Sequence, residues 1–195
     1  DFNNDGVPDV LAAASGNESS GEGRFSVLLL DGRTGNIIWT INQASQQKLK
    51  YMVTSTDFGG AVGSRVGTTN EVTGFDRQGN IVWVRPTTGT PWTVYEIENI
   101  GGSAMSDVIV GTTTGMVYAL SGDSGNVLWS RNLGNVFIED LRITSDITAN
   151  GNSDILVSGI NPNIFLLEGT TGEIIWQNGT GGNILGINQI GDIDG

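Results

Sequence analysis

A nine-residue loop rich in oxygen-bearing side chains opens the chain and is the part of the sequence best suited to chemistry. Residues 1–9 read Asp-Phe-Asn-Asn-Asp-Gly-Val-Pro-Asp, with side-chain oxygens on Asp1, Asn3, Asp5 and Asp9. Alternate residues of a tight loop can point inward together, and Gly6 permits the positive φ that such a turn needs. Hard cations such as calcium bind six to eight oxygens at about 2.3–2.6 Å. The pattern therefore predicts a cation site with oxygen ligands only.

The same loop returns in frame further along the chain. Residues 146–154 read Asp-Ile-Thr-Ala-Asn-Gly-Asn-Ser-Asp, which keeps an oxygen at each ligand position but has only two carboxylates. Asp192 begins another copy. The copy at 99–107 is degenerate, with one carboxylate. The equivalent stretch at 55–63 lacks the closing acid, which is the acid at the ninth and last position of the loop, as Asp9 is in the first copy. The alternative is that these are turn-forming Asn, Asp and Gly residues without metal.

Composition removes several classes of function. The chain of 195 residues has no cysteine and no histidine, so it has no disulfide, no thiol chemistry, no Ser-His-Asp triad and no imidazole metal ligand. Any bound metal must be held by oxygens, which favours calcium or magnesium. A formal net charge of −12 argues against binding nucleic acid or an anionic membrane surface. No apolar run approaches the roughly 18 residues of a membrane span.

A second pattern runs through the whole chain and ends each time in tryptophan. The phrase at 27–39 reads Val-Leu-Leu-Leu-Asp-Gly-Arg-Thr-Gly-Asn-Ile-Ile-Trp, and related phrases end at Trp83, Trp129 and Trp176. The regular spacing of these tryptophans marks a repeated supersecondary unit, which must stack on its neighbours to bury its apolar face. We expect Trp39 and its three counterparts to be mostly buried between adjacent units. Trp92 lies outside the repeat and is either a single packing residue or a surface aromatic.

Each repeat predicts four strands. The two apolar runs of the phrase flank a glycine-containing turn and indicate a β-hairpin. Another strand-like run begins at the closing acid of the Asp-rich loop, and a looser apolar run precedes that loop, as at 94–100 and 184–190. Four strands in roughly 45 residues are typical of a β-propeller blade. We expect an all-β propeller of four-stranded antiparallel blades, with repeats at approximately 1–48, 49–95, 96–142 and 143–190 and a fifth beginning at 191–195.

The two motifs resemble two families of propeller. The Asp-rich loop followed by an Asp-Val-Leu strand resembles the calcium-binding FG-GAP repeats of the integrin α-subunit propeller and its bacterial relatives. The phrase ending in tryptophan resembles the repeats of quinoprotein (PQQ-dependent dehydrogenase-like) propellers and of outer-membrane assembly propellers. Both resemblances imply the same architecture, and together the motifs cover nearly the whole chain.

The FG-GAP resemblance implies Ca²⁺ in the loop between the first and second strands of a blade. The implied ligands of the first site are Asp1, Asn3, Asp5, Asp9 and the backbone carbonyl of Val7. The implied ligands of the second site are Asp146, Thr148, Asn150, Asp154 and the backbone carbonyl of Asn152. The quinone of the other family does not carry over, because that family holds its cofactor between aromatic and cysteine-lined walls and this chain has no cysteine.

The leading expectation is a non-catalytic, calcium-stabilised scaffold of a secreted or cell-surface protein that binds a protein or carbohydrate, with the periplasm also open. Millimolar extracellular calcium would fill even weak sites. The alternative is the propeller portion of a secreted enzyme, either a polysaccharide lyase or hydrolase or a quinoprotein, whose active site lies largely outside this chain. For that alternative the candidates are the acids that break the repeat, Glu96, Glu98, Glu139 and Asp140. An intracellular assembly scaffold would be favoured only without calcium.

Two arrangements of the blades fit the repeat count. In a closed four-bladed ring, residues 184–190 would pair with the strand near 9–13. In an arc of a larger propeller, those two segments would lie apart. The further Asp-rich loop that begins at Asp192 favours the arc, so we expect a longer protein with additional blades or other domains.

Overall fold

The structure is a computed structural model that describes residues 1–14, 26–42, 47–55, 58–66 and 69–191. Within these ranges the chain forms fourteen strands and no helix, in agreement with the predicted all-β class. No segment of these ranges is a helix long and apolar enough to cross a membrane.

The strands are grouped into four antiparallel sheets that follow one another along the chain. The first sheet contains β1 (Val10–Ala14), β2 (Ser26–Leu30) and β3 (Ile37–Asn42). The second contains β4 (Gln47–Ser55), β5 (Gly59–Val66), β6 (Thr69–Asp76) and β7 (Ile81–Pro86). The third contains β8 (Pro91–Ile97), β9 (Asp107–Thr112), β10 (Met116–Leu120) and β11 (Val127–Asn132). The fourth contains β12 (Phe137–Ile143), β13 (Ile155–Leu167) and β14 (Ile174–Gly179).

Sheet order follows chain order, as expected of propeller blades. In the second and third sheets each strand pairs antiparallel with the next, from β4 to β7 and from β8 to β11. The hairpins that carry the repeated tryptophans in their second strand are present in all four sheets, as β2–β3, β6–β7, β10–β11 and β13–β14. The predicted four-stranded antiparallel blade is therefore confirmed.

The long strand β13 supplies two strands of the fourth blade. Its first half pairs with β12 and its second half pairs with β14. A straight strand of this length would span about 40 Å. The residues that flank β13 nevertheless meet, because the Gly169 N–H donates to a carboxylate oxygen of Asp154 at 3.4 Å. The strand therefore folds back on itself, and the fourth blade has the layout of the third.

The hydrophobic core lies between successive sheets. Three buried clusters correspond to the three junctions between neighbouring blades. Strand β9 shows how one strand serves two of them: Val108 and Val110 join the cluster with the second sheet, whereas Ile109 joins the cluster with the fourth. Because successive strand side chains point to opposite faces, every residue of β9 is buried. This explains its continuous run of apolar residues.

Residues 184–190 lie beside the fourth blade and not beside the first. The Ile184 N–H donates to the carbonyl of Gly159 at 3.1 Å, and the carbonyl of Ile187 accepts from Arg142 at 3.3 Å. Over the residues that the structure describes, β1 pairs with β2 alone. The pairing required by a closed four-bladed ring is thus not formed, and the chain is an arc of blades.

Candidate functional site

The two Asp-rich loops adopt the same backbone conformation. Asn4 and Gly6 have φ of 61° and 84°, and their counterparts Ala149 and Gly151 have φ of 58° and 93°. The prediction that Gly6 permits a left-handed turn is confirmed. The other left-handed residue of each loop, Asn4 or Ala149, was not predicted, because it is not a glycine.

The first acid of each loop fixes this conformation. One carboxylate oxygen of Asp1 accepts from the Asp5 N–H at 3.1 Å and the other accepts from the Gly6 N–H at 2.8 Å. In the second loop Asp146 accepts from the Asn150 N–H at 3.1 Å and from the Gly151 N–H at 2.7 Å. The hydrogen bond from Gly151 is the main cause that lowers the pKa of Asp146. Both loops therefore fold around a carboxylate bound by backbone N–H groups.

The closing acid of each loop ties that loop to the hairpin turn of its own blade. Asp154 is fully buried and accepts from the N–H groups of Ile147 and Thr148 at 2.8 and 3.0 Å. Its other oxygen accepts from Gly169 in the turn before β14. Asp9 makes the same contacts with Phe2, Asn3 and Gly32, at 2.6, 3.3 and 3.0 Å. The hydrogen bond from Phe2 is the main cause that lowers the pKa of Asp9.

The degenerate loop at 99–107 forms this connection as well. Asp107 is fully buried and accepts from Ile100 and Gly101 at 2.8 Å each and from Gly122 at 3.1 Å. This loop has only one carboxylate. The closing acid therefore has a structural role that does not require metal, which the ligand pattern alone had not revealed.

The first glycine of the Asp-Gly-x-Thr-Gly phrase is needed for this connection. A Cβ on Gly32 would lie 1.8 Å from the carbonyl oxygen of Pro8. The equivalent atoms on Gly122 and Gly169 would lie 1.9 Å from the carbonyl oxygens of Ser106 and Ser153. The loop and the turn thus approach so closely that only glycine fits.

Each Asp-rich loop also meets an acid from that turn. Asn3 donates from its side chain to Asp31 at 2.9 Å, and Asn150 donates to Glu168 at 2.6 Å. Sequence reasoning missed Asp31 and Glu168, because they lie 28 and 18 residues away from these partners. In the described part of the chain, however, no three acids are grouped closely enough to share a metal ion.

The pKa of Glu168 is lowered to about 2. Partial burial disfavours the charged carboxylate, but hydrogen bonds from Thr171, Thr170 and Asn150 outweigh it. The pKa of Asp31 is also lowered, chiefly by the hydrogen bond from the Thr34 hydroxyl. These acids remain ionised well below neutral pH and stabilise the turns in that form.

We expect the melting temperature to fall as the pH is lowered from about 4.5 to about 2. A group whose folded pKa is depressed contributes stability above its unfolded pKa, and this is lost as the pH falls through the folded value. For Glu168 the two values are 4.5 and about 2. Thermal melts across this range should show a shallower decline for Glu168→Gln than for the control Glu173→Gln, an exposed acid in the same turn. A flat profile for the unmodified protein would contradict this assignment.

Two of the acids that break the repeat have structural partners. Asp140 pairs with Arg142 at 3.3 Å and accepts from the N–H of Ile187 at 3.1 Å. Arg142 also donates to the Tyr95 hydroxyl and lies over that ring, 5.3 Å from its centroid. Glu98 accepts from the backbone of Ser153 in the next blade. Asp140 and Glu98 thus connect neighbouring segments of the arc.

The tryptophans occupy equivalent places at the three junctions. The indole N–H of Trp39, Trp83 or Trp129 donates to a backbone carbonyl in the hairpin turn of the next blade, at 3.0, 2.8 and 2.9 Å. Trp176 differs from the prediction that it is mostly buried. Its exposed fraction is 41%, because no following turn covers it in the described residues. Trp92 packs edge-on against Phe137, with ring centroids 4.8 Å apart, so of the two expected alternatives it has the packing role.

Comparisons with known proteins agree with this architecture. The family model for the outer membrane protein assembly factor BamB matches residues 113–192. No curated protein matches the sequence. BamB from Moraxella catarrhalis is 16% identical over 88% of this chain and 55% of that chain, with a TM-score of 0.56.

Two further solved structures show the same likeness. The quinohemoprotein alcohol dehydrogenase from Comamonas testosteroni is 16% identical over 88% of this chain and 34% of that chain, with a TM-score of 0.65. The Dos1 propeller is 14% identical over 91% of this chain and 45% of that chain, with a TM-score of 0.68. The chain thus spans between about a third and about half of the length of these proteins. At these identities the likeness shows the fold alone, which is that of a β-propeller.

Proposed function

We propose that this chain is the non-catalytic, protein-binding propeller of a larger cell-envelope protein, with Asp-rich loops that calcium stabilises. The scaffold assignment rests on the hydrogen bonds that the repeated acids make. The three closing acids, Asp9, Asp107 and Asp154, each accept three backbone N–H groups. Such acids hold the blade together and have little capacity left for proton transfer to a substrate.

The match to the BamB family model supports a protein partner and an envelope location. That family is described as an outer membrane assembly factor, and its match covers the third and fourth hairpins of this chain. A periplasmic or outer-membrane setting follows for this proposal. Nothing in the comparisons favours a carbohydrate partner, so we place a protein first.

The second candidate is the propeller portion of a quinoprotein enzyme, which the likeness to quinohemoprotein alcohol dehydrogenases favours. The residues of this chain do not fit the cofactor. There is no cysteine to line a wall of its site. The aromatic side chains of Trp39, Trp83 and Trp129 are engaged with the hairpin turns, and Trp92 is engaged with Phe137. An active site would therefore have to lie outside this chain.

Calcium remains a proposal that rests on the donor set. Both complete loops present side-chain oxygens at alternate positions on one backbone conformation, and each has a further acid, Asp31 or Glu168, beside it. Oxygen donors of this kind suit calcium. The hydrogen bonds within each loop satisfy part of the carboxylate oxygens, so the ion would stabilise a loop that already has its shape.

We expect calcium to raise the melting temperature by about 5–10 °C when it is in hundredfold excess over its dissociation constant. Binding to the folded state alone contributes about 2.7 kcal/mol under that condition, and each kcal/mol shifts the melting temperature of a chain of this size by about 2–4 °C. The measurement compares melts in calcium with melts in a chelator. The same melts with pyrroloquinoline quinone should show no shift.

Variants localise the effect. The double variant Asp5→Asn/Asp146→Asn should lose most of the calcium response, whereas Asp123→Asn, an exposed turn acid of the third blade, should retain it. No shift with calcium would refute the metal site and leave the scaffold assignment standing. Stabilisation by the quinone would refute the scaffold assignment in favour of the enzyme.

A further inference from the structure

The sequence contains two Asn-Gly dipeptides, and both are exposed in the structure. One is Asn150-Gly151 in the second Asp-rich loop, and the other is Asn178-Gly179 at the end of β14. The side-chain amide of an asparagine can be attacked by the backbone nitrogen of a following glycine, because no side chain shields that nitrogen. The two dipeptides are alike in residue type and in exposure, so a difference in their reactivity must come from the fold.

The fold bends the Asn150 side chain forward over Gly151. Its carbonyl oxygen Oδ1 accepts from the backbone N–H of Asn152 at 2.9 Å. This hydrogen bond closes a small ring that contains both Asn150 Cγ and the Gly151 nitrogen, so it brings the carbon and the nitrogen towards each other. The bond also withdraws electrons from Cγ and stabilises the negative charge that develops on Oδ1 during attack.

The attacking nitrogen of Gly151 is accessible as well. Its N–H donates to a carboxylate oxygen of Asp146 at 2.7 Å. An N–H bond lies in the plane of its peptide group, whereas attack proceeds from the face of that plane, so this hydrogen bond does not block the reaction. A Cβ on Gly151 would meet nothing within 4 Å. Water and hydroxide can therefore reach the dipeptide.

The dipeptide Asn178-Gly179 has the same residues in a different backbone conformation. Asn178 pairs with Ile164 and Gly179 pairs with Asn163 across the β13–β14 hairpin. Side chains on a strand stand roughly perpendicular to the sheet, which holds Asn178 Cγ away from the following nitrogen. The strand pairing would have to break before this asparagine could close on its glycine.

We propose that Asn150 is a site of spontaneous deamidation and that the strand protects Asn178. Hydroxide removes the amide proton of Gly151, the nitrogen bonds to Asn150 Cγ, and the Cγ–Nδ2 bond breaks. Nδ2 takes a proton from water and leaves as ammonia. A water molecule then opens the cyclic imide that remains and gives aspartate or isoaspartate at position 150. Water is the only co-reactant.

The product changes the contact between the loop and the hairpin turn of the fourth blade. Asn150 Nδ2 donates to Glu168 at 2.6 Å, and deamidation replaces this donor with a carboxylate. Two carboxylates so close together repel each other. In the first loop the equivalent residue is Asp5, which faces Arg33 at 3.7 Å. Deamidation therefore weakens the fourth blade at a place where the first blade tolerates the charge.

The test is peptide mass spectrometry of the folded protein, incubated in chelator at mildly alkaline pH and sampled over time. We expect Asn150 to lose its amide about tenfold faster than Asn178, which corresponds to a barrier lower by about 1.4 kcal/mol. In urea, where the strand pairing is lost, the two rates should become similar. Incubation in water enriched in heavy oxygen should place the label in the Asn150 product.

Variants test the route and its consequence. Gly151→Asn should slow the loss of the Asn150 amide about tenfold, because the new side chain shields the nitrogen. Asparagine tolerates the left-handed φ of 93° at this position. Asn150→Asp should lower the melting temperature in chelator by about 2–4 °C, and the matched control Asn178→Asp should leave it unchanged.

Two results would overturn deamidation at this site. One is a loss of the Asn178 amide as fast as that of Asn150 in the folded protein, and the other is an unchanged rate at Asn150 in Gly151→Asn. If Asn150→Asp melts at the temperature of the unmodified protein, the weakening of the contact between loop and turn is wrong.

Discussion

Replacing Trp83 with alanine is expected to lower the free energy of unfolding by about 3–5 kcal/mol, the range measured for large aromatic residues removed from a core. The Trp83 side chain is 7% exposed and belongs to the cluster between the second and third blades. Its indole N–H donates to the Gly122 carbonyl at 2.8 Å. The substitution would leave a cavity over Gly125 and an unpaired carbonyl. Urea unfolding followed by circular dichroism measures the loss.

The matched control is Trp176→Ala. Trp176 holds the same place in the repeat but is 41% exposed, and no turn covers it within the part of the chain that the structure describes. Its replacement should therefore cost about 1 kcal/mol or less, as most surface substitutions do. If the two substitutions lowered the free energy of unfolding equally, the contacts of Trp83 at the blade junction would contribute nothing to the stability of the protein.

The architecture of the chain was predictable because the same sequence pattern occurs several times. The period of the tryptophans, the glycine turns and the apolar runs agree with one another, and consistency between such levels specifies a fold. The exposure of Trp176 was not predictable from the repeat. Burial of that residue depends on a neighbouring turn, and a repeated sequence gives equal status to each copy whether or not its neighbour is present.

The loops were predictable in position and only partly in role. The alternation of oxygen-bearing residues indicated ligands, and Gly6 indicated the left-handed turn. The partners of Asp9, Asp107 and Asp154 are main-chain N–H groups, which carry no signature in side-chain types. The acids Asp31 and Glu168 lie in the hairpin turns that donate to the closing acids through Gly32 and Gly169. Sequence spacing therefore located the candidate site and assigned its closing residue to metal alone.

Asp107 separates the structural role of the closing acid from any role in metal binding. Its loop lacks the other carboxylates of the pattern, yet its side chain is fully buried and accepts three backbone N–H groups at 2.8, 2.8 and 3.1 Å. A hydrogen bond to a charged group contributes about 1.5–3 kcal/mol, and buried donors left without a partner add a desolvation penalty. The loop and the hairpin turn of the third blade are joined through this one carboxylate.

Asp107→Ala is therefore expected to destabilise the protein by about 3–5 kcal/mol, which is at the upper end for single substitutions. Asp107→Asn should cost less, because its amide oxygen still accepts from Ile100 and Gly101 while its NH₂ group faces the Gly122 N–H. The control Glu173→Ala removes an exposed acid from the equivalent turn of the fourth blade and should change stability little. Urea unfolding in calcium and in chelator should give the same loss for Asp107→Ala. A loss that appears only in calcium would assign Asp107 to a metal site, and a loss below about 1 kcal/mol would remove the closing acid as the element that joins loop to blade.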